Sequence, residues 1–130
     1  MDGQAGDDRM YGEQGRDTMN GGPGDDEMYG GEDKDILNGG PGNDLLDGGP
    51  GADTFVFEPG NGNDYIMDYT AGTDNIQFKG FTNADGTPLT TGVTATQDGD
   101  NYVIDLSDFG GGMITLLGAS DPSSDFSFVA

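Results

Sequence analysis

Large apolar residues recur at every ninth position from Met10 to Phe55, through Met19, Met28, Leu37 and Leu46. Of the eight residues between successive ones, six form a stretch rich in Gly, Asp, Asn and Pro. Residues 3–56 therefore divide into six units with no insertion or loss: GQAGDDRMY, GEQGRDTMN, GGPGDDEMY, GGEDKDILN, GGPGNDLLD and GGPGADTFV. Positions one to six of each unit are too Gly-rich for helix or strand, since Gly supplies positive-φ turns without steric cost. Positions seven to nine leave room for a strand of about three residues. A fixed short period of this kind predicts a solenoid whose stacked units share one core.

A doubled period lies beneath the first. Position nine reads Tyr11, Asn20, Tyr29 and Asn38, with tyrosine in odd units and asparagine in even ones. A loop–strand–loop–strand path that closes one coil every two units, or 18 residues, stacks Tyr11 on Tyr29 and Asn20 on Asn38. It also sets Arg9 beside Glu27. The expected fold is all-β: a parallel β-roll of two sheets with position eight pointing inward from each.

After Asp64 the period stops and longer strand-like runs follow. They are Tyr65–Tyr69, Asn75–Lys79, Gly92–Gln97, Tyr102–Leu106, Met113–Leu117 and Phe126–Val129, separated by Gly, Asn and Asp turns. Ile66, Ile76, Phe78, Phe81, Val103, Ile104, Leu106, Ile114, Leu116, Phe126 and Phe128 are enough for a modest antiparallel cover over the exposed end of a solenoid. Two regions are expected: a roll over residues 1–57, then a seventh loop and capping region over 58–130. The array starts in register at Gly3, with no signal peptide or cap before it, and reads as the C-terminal piece of a longer protein.

Composition explains why such a roll needs a counter-ion. Only 23 of 130 residues are Leu, Ile, Val or Phe, and six of those precede Phe57. The net charge is −21, and residues 1–56 alone carry 14 acidic against three basic side chains. The repeat half has too little apolar surface to offset its backbone entropy and charge repulsion unaided. The charge argues against nucleic acid and anionic membranes, which need Lys and Arg. No apolar run approaches the length of a membrane span. There is no cysteine, hence no disulfide and no thiolate metal site.

The acidic residues are not scattered. Asp8, Asp17, Asp26, Asp35, Asp44 and Asp53 hold position six of every unit. Coils stack at about 4.8 Å, so Asp8 faces Asp26, Asp17 faces Asp35, Asp26 faces Asp44 and Asp35 faces Asp53. Two bare carboxylates ~5 Å apart repel by roughly 3 kcal/mol at an effective dielectric of 20. Several such pairs rival the whole stability of a small domain. A divalent cation reverses the sign. Carboxylates with backbone carbonyls suit Ca²⁺, which accepts irregular oxygen cages, better than Mg²⁺, which demands a strict octahedron. Zn²⁺ is disfavoured by the lack of His and Cys.

The pattern GGxGxDxUx, with U large and apolar, resembles the RTX (repeats-in-toxin, hemolysin-type calcium-binding) family. Units 21–29, 39–47 and 48–56 match it in full. Asp33 replaces a Gly in unit 30–38, and Gln4 and Glu13 replace one in each of the first two units. The resemblance implies ions held between units n and n+2, by carbonyls at positions two and four with the first Asp, and carbonyls at one and three with the second. Carried onto this chain, one site takes Gly22, Gly24 and Asp26 with Gly39, Pro41 and Asp44. A second takes Gly31, Asp33 and Asp35 with Gly48, Pro50 and Asp53. Weaker first-coil sites take Gln4, Gly6 and Asp8 with Gly21, Pro23 and Asp26, and Glu13, Gly15 and Asp17 with Gly30, Glu32 and Asp35. The seventh loop, Pro59 to Asp64, closes a fifth through Pro59, Asn61 and Asp64 with Gly40, Gly42 and Asp44. Four to five Ca²⁺ ions are thus expected by resemblance.

Residues 54–78 also resemble the segment that follows the repeats in secreted RTX proteases and lipases. The ending Asp125–Ala130 resembles the extreme C-terminus read by type I secretion. Together these imply a calcium-folded module of a secreted, extracellular bacterial protein, with the secretion machinery and an upstream domain as partners. No catalytic role is expected. A conventional triad is impossible without His or Cys, no phosphate-binding loop is present, and the acid spacing suits calcium better than a glycosidase pair. An adhesion module that presents the roll surface to a glycan or protein is the alternative. Halophilic solubility is a third reading, though a halophile scatters its acids rather than spacing them at nine residues.

Overall fold

The computed structural model describes residues 1–130. Each repeat delivers one short strand, as its positions seven to nine allow. Odd units give β1 (Arg9–Tyr11), β3 (Glu27–Tyr29) and β5 (Leu45–Asp47); even units give β2 (Thr18–Asn20), β4 (Ile36–Asn38) and β6 (Thr54–Phe57). The remainder adds β7 (Asp64–Ile66), β8 (Asn75–Lys79), β9 (Ala95–Asp98), β10 (Asn101–Asp105), a 3-10 turn at Ser107–Phe109, β11 (Met113–Leu116) and β12 (Phe126–Val129). No helix is long and apolar enough to cross a membrane.

Odd and even strands of the repeats segregate into two sheets, in the orders β1-β3-β5-β7-β11-β10-β9 and β12-β8-β6-β4-β2, with β10 alone among the even strands joining the odd sheet. Pairing through the repeats is parallel and in the doubled register. Met10 lies opposite Met28, Met19 opposite Leu37, and Leu37 opposite Phe55. Tyr11 stacks on Tyr29 with ring centroids 5.1 Å apart and planes 9° from parallel. Arg9 Nε donates to Glu27 Oε2 at 2.6 Å.

The coil does not keep its 18-residue length. Leu45 pairs with Tyr65 and Thr54 with Asn75, so the last coils widen to 20 and 21 residues. The roll also continues beyond the nonapeptides. β7 lies parallel on β5, β8 on β6, β11 on β7 and β12 on β8. The antiparallel cover is confined to β9, β10 and β11. Parallel β11 and β12 add to the open strand edges that β7 and β8 would otherwise present.

Four strands differ from their expected bounds, β10 and β11 by no more than one residue at either end. β7 stops at Ile66 rather than Tyr69, where Asp68 turns inward, and β9 starts only at Ala95.

Every position-eight residue is buried, together with Phe57, Ile66, Ile76, Phe78, Phe81, Ile104, Leu106, Ile114 and Leu116. Tyr69 and Leu89, which the apolar pattern did not single out, join them. Phe126 and Phe128 are half-buried and pack on the Phe78 ring at centroid distances of 5.3 and 5.4 Å. Burying each large apolar side chain contributes about 1.5–3 kcal/mol. That contribution is concentrated in the C-terminal half, and the N-terminal coils rely on their loops.

Candidate metal centre

Each loop places its Asp by the same contact with the next coil. The backbone N–H of Asp8 donates to Asp26 Oδ1 at 2.8 Å, and that of Asp17 to Asp35 Oδ1 at 2.8 Å. Asp26 and Asp35 donate in turn to Asp44 and Asp53, each at 2.9 Å. The odd ladder ends at Asp64, which accepts from Asp44 at 2.9 Å, and the even ladder at Asp74, which accepts from Asp53 at 2.9 Å. One carboxylate oxygen of each of Asp26, Asp35, Asp44, Asp53, Asp64 and Asp74 is thereby satisfied.

The other is not. Oδ2 of Asp8, Asp17, Asp26, Asp35, Asp44 and Asp53 is buried with no hydrogen-bond partner. Six orphaned carboxylate oxygens in one small protein are far outside what a fold tolerates, since each costs its full desolvation.

A second oxygen converges on the same place. A Cβ built on Gly3 would lie 2.7 Å from both Asp8 Oδ2 and Gly21 O; one built on Gly30 would lie 2.6 Å from Asp35 Oδ2 and 2.7 Å from Gly48 O. The space beside Gly3, Gly12, Gly21 and Gly30 is thus a cradle formed by Asp Oδ2 of one unit and the position-one carbonyl of the unit one coil further on, while at Gly39 and Gly48 the nearest atoms are those of Asp44 and Asp53 alone. Carbonyls at Gly22, Gly24, Gly31, Gly40 and Gly42 accept no hydrogen bond either. The donor set is oxygen only, anionic and dry, which fits Ca²⁺.

Glycine at positions two and four lets the coils stack this closely. Gly22 sits against Gln4 O, Gly24 against Gly6 O, Gly40 against Gly22 O and Gly42 against Gly24 O, and a Cβ at any of them would overlap that oxygen. The three substitutions at such positions still take left-handed backbone: Gln4 at φ 78°, Glu13 at 76° and Asp33 at 84°. Each costs on the order of 1–2 kcal/mol relative to glycine.

The structure brings most of the sequence-derived residues together in their stacked pairs. Gly22 N donates to Gly39 O and Gly24 N to Pro41 O, both at 3.0 Å; Gly31 N donates to Gly48 O at 3.1 Å and Asp33 N to Pro50 O at 3.0 Å. In the first coil, Gly6 N meets Pro23 O at 2.8 Å. The pair formed by units 12–20 and 30–38 departs from this, because Glu13 O already accepts Glu32 N at 2.8 Å; Gly15 keeps φ 100°. At the seventh loop, Gly40, Pro41, Glu58, Pro59 and Asn61 enclose a cavity of about 30 Å³. There Asn61 Nδ2 donates to Asp64 Oδ2 at 2.7 Å, which leaves Asp64 without an orphaned oxygen.

Burial without a cation perturbs the carboxylates. Desolvation pushes Asp44 up to about 7 and Asp53 and Asp64 up to about 6, and it raises Asp26, Asp35 and Asp74 as well. Neighbouring Asp charges add to the rise at Asp44 and Asp53. Burial thus makes these carboxylates harder to ionise than free ones, a cost that a bound cation offsets.

Three structural features of the site escaped the period. Asp68 accepts Gly48 N and Gly49 N at 2.9 and 2.6 Å, and Asp74 forms the last rung. Neither lies in a GGxGxD loop, so no motif marks them. A separate ladder joins position five of the odd loops: Asp25 N to Asp7 Oδ1, Asn43 N to Asp25 Oδ1 and Asn63 N to Asn43 Oδ1, at 2.9, 2.9 and 3.0 Å. Its signal was present, since even loops carry Arg16, Lys34 and Ala52 there instead.

Stacked coils, an inward Asp ladder and glycine-lined carbonyl loops define a calcium-binding parallel β-roll. The family model of the RTX calcium-binding nonapeptide repeat (4 copies) matches over three overlapping stretches, residues 2–37, 20–55 and 29–66. The chain belongs to that family. No curated protein matches the sequence. Among solved structures, the chain is similar to the AlgE6R3 subunit of the Azotobacter vinelandii mannuronan C5-epimerase, with 26% identity and TM-score 0.71, over 96% of this chain and 80% of that one. The AlgE6R2 subunit of that enzyme matches at 27% identity and TM-score 0.69, over 98% and 91%. The extracellular lipase LipA of Serratia marcescens matches at 26% and 0.74, over 95% of this chain but only 20% of the lipase. These relatives are repeat modules or repeat-containing parts of enzymes.

Proposed function

We propose that this chain is a calcium-induced folding module of a secreted bacterial protein, exported by type I secretion and working outside the cell. The observation that carries it is the set of six buried Asp Oδ2 atoms without partners. They make the roll unfavourable where calcium is scarce, as in the cytosol, and favourable at the millimolar calcium found outside. An unfolded chain is then fit for export and folds on arrival. Sites 26/44 and 35/53 hold the best-formed cages, the first-coil and seventh-loop sites hold weaker ones, and catalysis belongs to an upstream domain. Likeness to a segment of an extracellular lipase supports the secreted setting.

The test is far-UV circular dichroism in EDTA against ~1 mM Ca²⁺ at neutral pH. A calcium-dependent rise of β signal is expected. A fully β-structured protein in EDTA would sink the proposal, as would recovery of the fold by molar KCl in place of calcium.

A second reading is favoured by the outer face of the odd sheet. Tyr11 is 53% exposed and Tyr65 46% exposed on that face, and Tyr11 stacks on Tyr29. Exposed aromatic rings suit the apolar faces of sugars, and two of the similar structures come from an enzyme that acts on mannuronan. In this reading the folded roll also holds a glycan. A glycan array probed with and without calcium decides it, and the absence of any calcium-dependent signal refutes it.

A further inference from the structure

We propose that Asp53 and Asp74 bind a further Ca²⁺ ion, which closes the even ladder inside the C-terminal segment, beyond the last nonapeptide. The proposal rests on the calcium reading above and shares Asp53 with its 35/53 site, but Asp74 belongs to none of the sites named there. Asp74 lies outside the stretch that the repeat profile covers. Its loop, Thr70-Ala71-Gly72-Thr73-Asp74, has no GGxGxD pattern.

Asp53 to Asp74 repeats the geometry of the rungs below it. The N–H···Oδ1 distance is 2.9 Å, against 2.8 Å for Asp17 to Asp35 and 2.9 Å for Asp35 to Asp53. In the lower rungs, Oδ2 of the first Asp is orphaned, and Asp35 Oδ2 and Gly48 O of the next coil flank the same point beside Gly30. Asp53 Oδ2 is orphaned in the same way, in a residue 1% exposed. Asp74 is 5% exposed. The carbonyls of Gly49 and Gly51, at positions two and four of this unit, accept no hydrogen bond.

What the next coil lacks in carbonyls, Asp68 replaces. In the coil below, Gly30 N and Gly31 N donate to the carbonyls of Asp47 and Gly48 at 2.8 and 3.1 Å. Gly48 N and Gly49 N donate instead to the two carboxylate oxygens of Asp68, at 2.9 and 2.6 Å. Asp68 Oδ2 therefore takes the hydrogen bond that a position-one carbonyl takes elsewhere.

The tight turn above fixes Asp74. Asp74 N and Thr73 N donate to Thr70 O at 2.9 and 3.1 Å, and Thr70 N returns to Asp74 Oδ2 at 2.8 Å. The same loop is tied to the chain end through Asp125, whose Oδ2 accepts Tyr69 Oη at 3.0 Å and Gly72 N at 2.9 Å. Asp53, Asp68, Asp74 and Asp125 thus gather with no basic side chain to balance them. The one cation after Lys34 is Lys79, and it pairs with Glu58 at 3.4 Å. A divalent ion at Asp53 and Asp74 offsets that charge.

Two measurements test the site. Crystals of the whole chain grown with Ca²⁺ and recorded at long wavelength are expected to show an anomalous peak between Asp53 and Asp74. Peaks at 26/44 and 35/53 without one there would overturn this inference and leave the general calcium reading intact. Asp74→Asn is expected to bind one ion fewer than wild type by native mass spectrometry while keeping its calcium-induced β signal; an unchanged count overturns the inference. If Asp74→Asn does not fold, the wild-type crystal decides. A wild-type chain that binds no calcium at all refutes both proposals.

Discussion

Asp44 is gripped from below and reaches above. Its Oδ1 accepts the Asp26 backbone N–H at 2.9 Å, while its own N–H donates to Asp64 Oδ1 at 2.9 Å. Its Oδ2 is buried with no partner. One side chain therefore belongs to two stacked loops, next to the largest part of the apolar core. Asp8 has only the coil above it.

Asp44→Ala is accordingly expected to raise the calcium midpoint for folding far more than Asp8→Ala. An ion present at a hundredfold its dissociation constant stabilises by about 2.7 kcal/mol, so loss of two ions removes ~5 kcal/mol, comparable with a small domain's whole stability. Calorimetric titration should find about two fewer ions in Asp44→Ala. Equal midpoints and stoichiometries would show that the loops bind independently.

The glycine stacking gives a steric prediction. A Cβ at Gly42 overlaps Gly24 O, whereas one at Gly60 meets nothing within 4 Å although φ is 87°. Gly60→Ala should cost only the left-handed penalty of roughly 1–2 kcal/mol. Gly42→Ala should prevent calcium-induced folding, as circular dichroism at saturating Ca²⁺ will report. Similar losses in both variants would mean that the coils do not stack this closely.

Metal-free protein should respond to acid in the direction opposite to most folds. Asp44 at about 7, with Asp53 and Asp64 at about 6, binds protons in the folded state that unfolded carboxylates, near 3.9, have already released. Stability therefore falls as pH rises from about 4 to about 7. In EDTA, β structure should be greater at pH 4.5 than at pH 7.5. With calcium present the sense reverses, because protons compete for the same oxygens, and the midpoint should rise as pH falls below about 7. A calcium midpoint independent of pH over this range would exclude the buried carboxylates as ligands.

Core truncations should grade with depth in the stack. Phe55 is fully buried between the last coils, whereas Met10 is 5% exposed on the outermost strand. Phe55→Ala should cost about 3–5 kcal/mol, with a clearly smaller loss for Met10→Ala. Thermal unfolding at saturating calcium measures both.

Much of the roll was legible in the residues. The nine-residue spacing of Met10 through Phe55 placed every repeat strand, because three residues between glycine loops can form little else. The Tyr11/Asn20/Tyr29/Asn38 alternation set the doubled register, and Asp at position six named the ladder. Local steric rules and period decide all three.

The C-terminal half obeyed no period, so tertiary structure alone decided it. Parallel seating of β11 on β7 and β12 on β8 joins residues 50 positions apart in both cases. Apolar pattern can mark such strands as buried but cannot choose their partners. The widening of the last coils, the Asn61 bond that occupies Asp64, and the recruitment of Asp68 and Asp74 as rungs have the same origin. Each depends on where an irregular loop lands against a coil already built, and that is set by three-dimensional packing and by the open hydrogen-bonding groups of the final repeat.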